Sequence, residues 1–120
     1  MKCRIILELL AILFFTGCYN REQISRLDEA EALIQNKPDS ALTILQQLKS
    51  EGGQAEQARY ALLYSEALDK NHIKVTNDSL IRQAWSHYKH HPKDLRRQCK
   101  TLYYWGRVKL RAGDKPGALR

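Results

Sequence analysis

The sequence has no apolar run of the about 20 residues that a helix needs to cross a bilayer. Its longest, Ile5 to Phe15, covers eleven positions and is already broken by Glu8, so a spanning anchor is excluded there. Cysteine is scarce as well: Cys3, Cys18 and Cys99 are the three in 120 residues. No segment shows the strict alternation of polar and apolar residues that marks a half-buried strand. Nor is there a nucleophile beside a base, a glycine-rich phosphate loop or a convincing pair of carboxylates, which leaves catalysis without support. What is present is enough for one globular domain, because 43% hydrophobic and 28% charged residues lie outside the range of disordered tails.

The apolar run has the anatomy of an export signal. Lys2 and Arg4 form a positive n-region, Ile5 to Phe15 an apolar h-region, and Thr16-Gly17 supply small residues just before Cys18. Phe15-Thr16-Gly17-Cys18 resembles the lipobox of bacterial lipoproteins, although Phe15 is bulkier than the usual residue at its place. The resemblance implies diacylglycerol on the Cys18 thiol, cleavage before Cys18 and acylation, as with palmitate, of the new amino terminus. Each buried methylene adds roughly 0.8 kcal/mol, so two or three chains hold a protein where one does not. An ordinary secretory signal with a coincidental cysteine is the alternative. The expected division is a signal peptide over 1–17, a lipidated N-terminus and linker over 18–23, and a helical domain over 24–120. Loss of Lys2, Arg4 and Glu8 takes the formal charge from +7 to +6. With Cys3 removed and Cys18 acylated, Cys99 has no intramolecular partner, so the core rather than disulfides must hold the fold.

From Arg21 onward the apolar residues recur at helical spacing. Ile24, Leu27, Ala30 and Ile34 mark a first helix, and Ala41, Leu42, Ile44, Leu45 and Leu48 a second. Ala58, Ala61, Leu62, Ser65 and Leu68 mark a third, followed by Leu80, Ile81, Ala84, Trp85 and Tyr88. Leu95, Cys99, Leu102, Tyr103, Gly106 and Leu110 mark a fifth. Pro38 and Asp39 suit a first helical turn, Asn77-Asp78-Ser79 offers a cap, and Gly52-Gly53, Pro92 and Gly113-Asp114 end helices. The links are mostly short, which predicts an all-α fold of antiparallel hairpins, with Lys70 to Thr76 as a longer connection.

The helix starts repeat. Asp39-Ser40-Ala41-Leu42 returns as Asp78-Ser79-Leu80-Ile81, and Lys115-Pro116-Gly117-Ala118-Leu119 resembles a third start. Spacings of 20 to 50 residues point to stacked helical hairpins. Leu102-Tyr103-Tyr104-Trp105-Gly106-Arg107, with Gly113 and Ala118 after it, is similar to a tetratricopeptide repeat (TPR), and the resemblance spans 24–120. It implies an all-α, TPR-like solenoid, truncated in its last repeat, of the kind found in Bacteroidetes-type lipoproteins. Gly106 within a helix predicts a neighbouring helix close by. Lys109 departs from the pattern where the family usually has tyrosine, and the earlier units are longer than the family's period of about 34. An irregular helical bundle is the alternative.

Candidate sites divide by chemistry. His87, His90 and His91 near Cys99 suggest a metal, but no second cluster completes a ligand set, and solvated histidines at a helix end account for them. No metal and no cofactor is expected. Cys99 is expected in the core. Lys89, Lys93, Arg96, Arg97 and Lys100 read as a solvated face or a contact with lipid headgroups, and no nucleic acid is expected for an exported segment. Trp85 and Tyr103 fit the core stripe. Tyr104 and Arg107 are the candidates for a protein-binding groove, since first helices line the concave side of such solenoids.

The function these features imply is a membrane-tethered protein-protein interaction scaffold, not an enzyme, anchored through Cys18 and binding an unidentified protein or peptide. The alternative is the N-terminal sensory part of a longer signalling protein with a membrane helix and a DNA-binding domain. Tyr19-Asn20-Arg21-Glu22-Gln23 carries no acidic cluster to argue for surface export, so the expected place is the cell envelope, facing the periplasm, at the outer rather than the inner membrane.

Overall fold

A computed structural model describes residues 21–49 and 51–113. The signal segment, Cys18, Ala118 and the third helix start therefore lie outside the described residues. All regular structure among those described is α-helical: α1 over 21–33, α2 (Pro38–Gln47), α3 (Gln54–Lys70), α4 (Ser79–Tyr88) and α5 (Leu95–Arg111). The all-α expectation holds.

Local chemistry explains the ends. Pro38 opens α2, where its missing amide hydrogen costs nothing, and Asp39 meets the positive end of the helix. Leu48 is already extended, so α2 stops before Gly52-Gly53 is reached, and Gly52 (φ +98°) takes the left-handed turn that comes after. Asn71 closes α3: its Nδ2 donates to the Ala67 carbonyl at 2.7 Å and to that of Pro38 at 2.9 Å, tying α3 to the start of α2. The longer link between α3 and α4 includes His72 at φ +61°. Asn77 Oδ1 then accepts from the Ser79 amide at 2.8 Å, which satisfies an exposed donor at the start of α4. Helix α4 ends at Tyr88, four residues before Pro92, and Asp94 caps α5 by accepting from the Arg97 amide.

Two apolar clusters make the core of the described residues, and α3 belongs to both. Leu27, Ala30 and Ile34 meet Ala41, Leu42, Ile44 and Leu45 of α2 and Leu63 and Ala67 of α3. Ala58, Ala61 and Leu62, on another side of α3, meet Ile81, Ala84 and Tyr88 of α4 and Tyr104 and Val108 of α5. Burying each leucine contributes about 1.5–3 kcal/mol, so α3 is the element whose loss would dissolve both clusters. Gln23 is buried too, and its amide donates to the Lys49 and Glu51 carbonyls, both at 2.9 Å.

The expected faces hold for α2, α3 and α4, with Leu48, Leu68, Leu80 and Trp85 half-buried at the margins. Ile24 is exposed at the edge of α1. Helix α5 departs outright. Thr101, Tyr104 and Val108 face inward, while Leu95 (63% exposed), Leu102 (50%) and Tyr103 (59%) face out, with Cys99, Gly106 and Leu110 beside them. Residues 101, 104 and 108 lie about half a turn from that stripe. The expected close neighbour of Gly106 is also missing: a Cβ built there meets nothing within 4 Å.

Candidate functional site

The outward stripe of α5 and the charged surface beside it form the candidate site. Leu95, Cys99, Leu102, Tyr103, Gly106 and Leu110 recur three and four residues apart, so they share one face along about four turns. Arg96 borders one edge and Lys109 the other, both exposed. The Lys109 ammonium sits 5.2 Å from the centre of the Trp105 ring, and the Arg107 guanidinium 5.9 Å from that of Tyr103. The indole of Trp105 donates to Asp78 Oδ2 at 3.3 Å, which secures α5 to the residue that precedes α4.

On the inward side three clusters of charge lock α5 to the preceding helices. Asp69 receives Arg107 Nε at 2.5 Å and also the Arg111 guanidinium. Burial alone would raise the Asp69 carboxyl, but the two guanidinium groups hold it below its ordinary value. Glu66, 1% exposed, receives Lys100 Nζ at 3.2 Å and Gln35 Nε2 at 3.3 Å, so a buried carboxylate is paired and hydrogen-bonded as its desolvation requires. Glu31 takes Arg59 at 2.7 Å and Arg97 at 3.4 Å, while Arg59 reaches Asp28 and Arg97 reaches Asp94. Burial opposes ionisation of Glu31, yet the paired arginines keep it below the usual carboxylate range. Arg97, Lys100, Arg107 and Arg111 are thus structural cations holding α5 to α1 and α3.

Among the described residues the structure places each expected site residue. Tyr104, expected on an open groove, is 8% exposed and packs among Ala61, Leu62, Tyr88 and Val108, because its turn of α5 faces α3 and α4. Desolvation drives its phenol well above the ordinary value. Arg107 is partly exposed, but Asp69 occupies its guanidinium. Tyr103 and Cys99, expected in the core, stand on the surface stripe. In the basic run, Arg97 and Lys100 are paired, and Lys89, Lys93 and Arg96 are exposed. His87 and His91 stack with ring centres 4.0 Å apart, and His91 Nδ1 lies 2.8 Å from the His87 carbonyl. Desolvation and the neighbouring His91 lower the His87 pKa. No group of three or more His, Cys, Asp or Glu able to hold a metal occurs among the described residues, and no described helix is long and apolar enough to cross a membrane.

The buried Glu66 and the half-buried Asp69 are what sequence reasoning missed. Their signal is local: both sit in the apolar-rich stretch from Ala61 to Leu68 and its first following residue, on a helix that the core encloses. No family model, curated protein or solved structure matches the chain.

Proposed function

We propose that the chain is an exported, lipid-anchored protein-interaction scaffold of TPR-like helical hairpins, held to the envelope through Cys18 and exposing α5 to a partner. The observation that carries the reading is a correspondence between α3 and α5. Both run for seventeen residues. Tyr60, Leu63 and Ala67, which face the preceding hairpin, correspond at a constant offset to Thr101, Tyr104 and Val108, which face α3 and α4. At the same offset Ala58, Ala61, Leu62 and Ser65, which lie toward α4 and α5, correspond to Cys99, Leu102, Tyr103 and Gly106, which lie in the open.

A stack of hairpins requires each first helix to present one face backward and one forward. Helix α3 uses both, and α5 uses the backward one. The offset exceeds the TPR period of about 34, and the longer link between α3 and α4 accommodates the difference. No reaction is assigned to the chain, and its role is binding. The anchor rests on the lipobox resemblance of Phe15-Thr16-Gly17-Cys18.

Cys18→Ser supplies the test. Cells expressing the full chain are fractionated, and labelled palmitate is followed in the protein. The expected result is loss of label and release from the membrane fraction. Label retained on the Ser variant, or membrane attachment unchanged without label, overturns the anchor.

A further inference from the structure

We propose that the outward stripe of α5 seats an amphipathic helix of a partner protein, one whose apolar seam is flanked by acidic side chains. The inference rests on the scaffold reading and adds the chemistry of the partner. The shape of the seat comes from the correspondence with α3. The α3 residues equivalent to the stripe are covered by helices, by α4 through Ile81, Ala84 and Tyr88 and by α5 through Tyr104 and Val108. From Cys99 to Gly106 the stripe of α5 follows the same arc, with a small residue, Gly106 in place of Ser65, near its centre, and Leu95 and Leu110 extend it where α3 has Gln54 and Asp69. Open space above the Gly106 Cα lets a second backbone approach closely, a use that a helix has and a lipid surface does not.

Charge selects the occupant. Helix α5 carries six lysines and arginines and no acid. Four of these cations already hold Asp94, Glu31, Glu66 or Asp69, while Arg96 and Lys109, at the two edges of the stripe, form no ion pair among the described residues. A second copy of α5 would set like charges along both edges. Residues 114–120 are no better matched, since they bring Lys115 and Arg120 against one acid, Asp114. An incoming helix with leucines or alanines at i, i+3, i+4 and i+7 and glutamates on either side satisfies both the seam and its edges.

The test uses the full chain in detergent micelles and two fluorescent peptides of about sixteen residues, long enough for the stripe. One has a Leu/Ala seam flanked by glutamates, and its twin has lysines in their place. Binding of the acidic peptide is expected to be at least about tenfold tighter than that of the twin and to weaken with added salt. Leu102→Asp should abolish it without changing the far-ultraviolet circular dichroism, because Leu102 is exposed. The double variant Arg96→Glu, Lys109→Glu should favour the lysine twin. Equal binding of the twins, or no binding of either, overturns the proposal. So does a concentration-dependent dimer dissolved by Leu102→Asp, which assigns the stripe to a second copy. Adsorption to anionic phosphatidylglycerol vesicles that Leu102→Asp removes, with no peptide bound, assigns it to lipid instead. Cys18→Ser leaves peptide binding unchanged, so a failed anchor and a failed docking site are read separately.

Discussion

Helices α3 and α5 have the same length and corresponding apolar positions, yet one is enclosed by two clusters of core and the other is covered on one side. The difference lies in the segment that comes next after each helix among the described residues. Helix α3 is succeeded by α4, which lays Ile81 and Ala84 across it. Helix α5 is succeeded by Gly113 at φ +88°, and nothing described lies on its outer face. The same kind of seam therefore acts as core in one helix and as surface in the other. Side-chain chemistry alone does not decide which, because burial is a property of the pair.

The strongest way to break this comparison is to place one charge at two corresponding positions. Ala61→Asp puts a carboxylate where the wild-type side chain is fully buried and should cost about 3–5 kcal/mol, enough to unfold a marginal domain. Leu102→Asp, its counterpart in α5, should stay within about 0.5 kcal/mol. Urea denaturation of the two variants measures both. Comparable losses would mean that α5 is covered in solution.

Acid titration should loosen the attachment of α5 next. The Asp69, Glu31 and Asp94 carboxyls are held below their ordinary values by arginine partners, against the opposing effect of burial. A depressed carboxyl contributes stability that is fully present above its unfolded value, near 4, and that is lost as the pH falls through the folded value. Stability should therefore fall on acidification below about pH 4, and Asp69→Asn should flatten part of that fall. Thermal unfolding measured across the acid range reads this. At the alkaline end the sign reverses in its group. Desolvation raises Tyr88 to about 12, so its contribution is complete below the ordinary phenol value and disappears as pH rises toward 12. Tyrosinate absorbance and helix content should change together there.

The smallest effect sharpens the comparison from the opposite direction. Gly106→Ala introduces a methyl group that touches nothing and gives the helix a better former, so it should stabilise the free chain by about 0.5–1 kcal/mol. The same change should weaken any helix docked over position 106. A gain in melting temperature together with reduced acidic-peptide binding is the expected pair of readings.

These helices also set how far the fold is legible in the sequence. In α2 the buried set, Ala41, Leu42, Ile44 and Leu45, is also the apolar set, so periodicity identifies it. In α5 the two sets separate. The leucines of the helix, Leu95, Leu102 and Leu110, are outside, whereas the inward face includes Thr101, whose hydroxyl donates to the Arg97 carbonyl at 2.7 Å and so tolerates complete burial. A hydrophobic stripe reports affinity for a neighbour without reporting that the neighbour is present. Arg107 is legible as a candidate, but its engagement by Asp69 is not, because that ion pair joins residues far apart in sequence. Gln23 escapes a sequence reading for the same reason: its two acceptors lie in the link after α2.

That glutamine has a mechanical consequence. It lies five residues beyond Cys18, and its side-chain amide bridges two carbonyls of the segment joining α2 to α3. If Cys18 is anchored as proposed, tension entering from it would meet this clamp before it meets the apolar seam at Leu27. The load would then pass sideways into the link between α2 and α3 instead of peeling α1 away one turn at a time. Under that proposal Gln23 would be the point at which a pull on the anchor becomes a pull on the helical body.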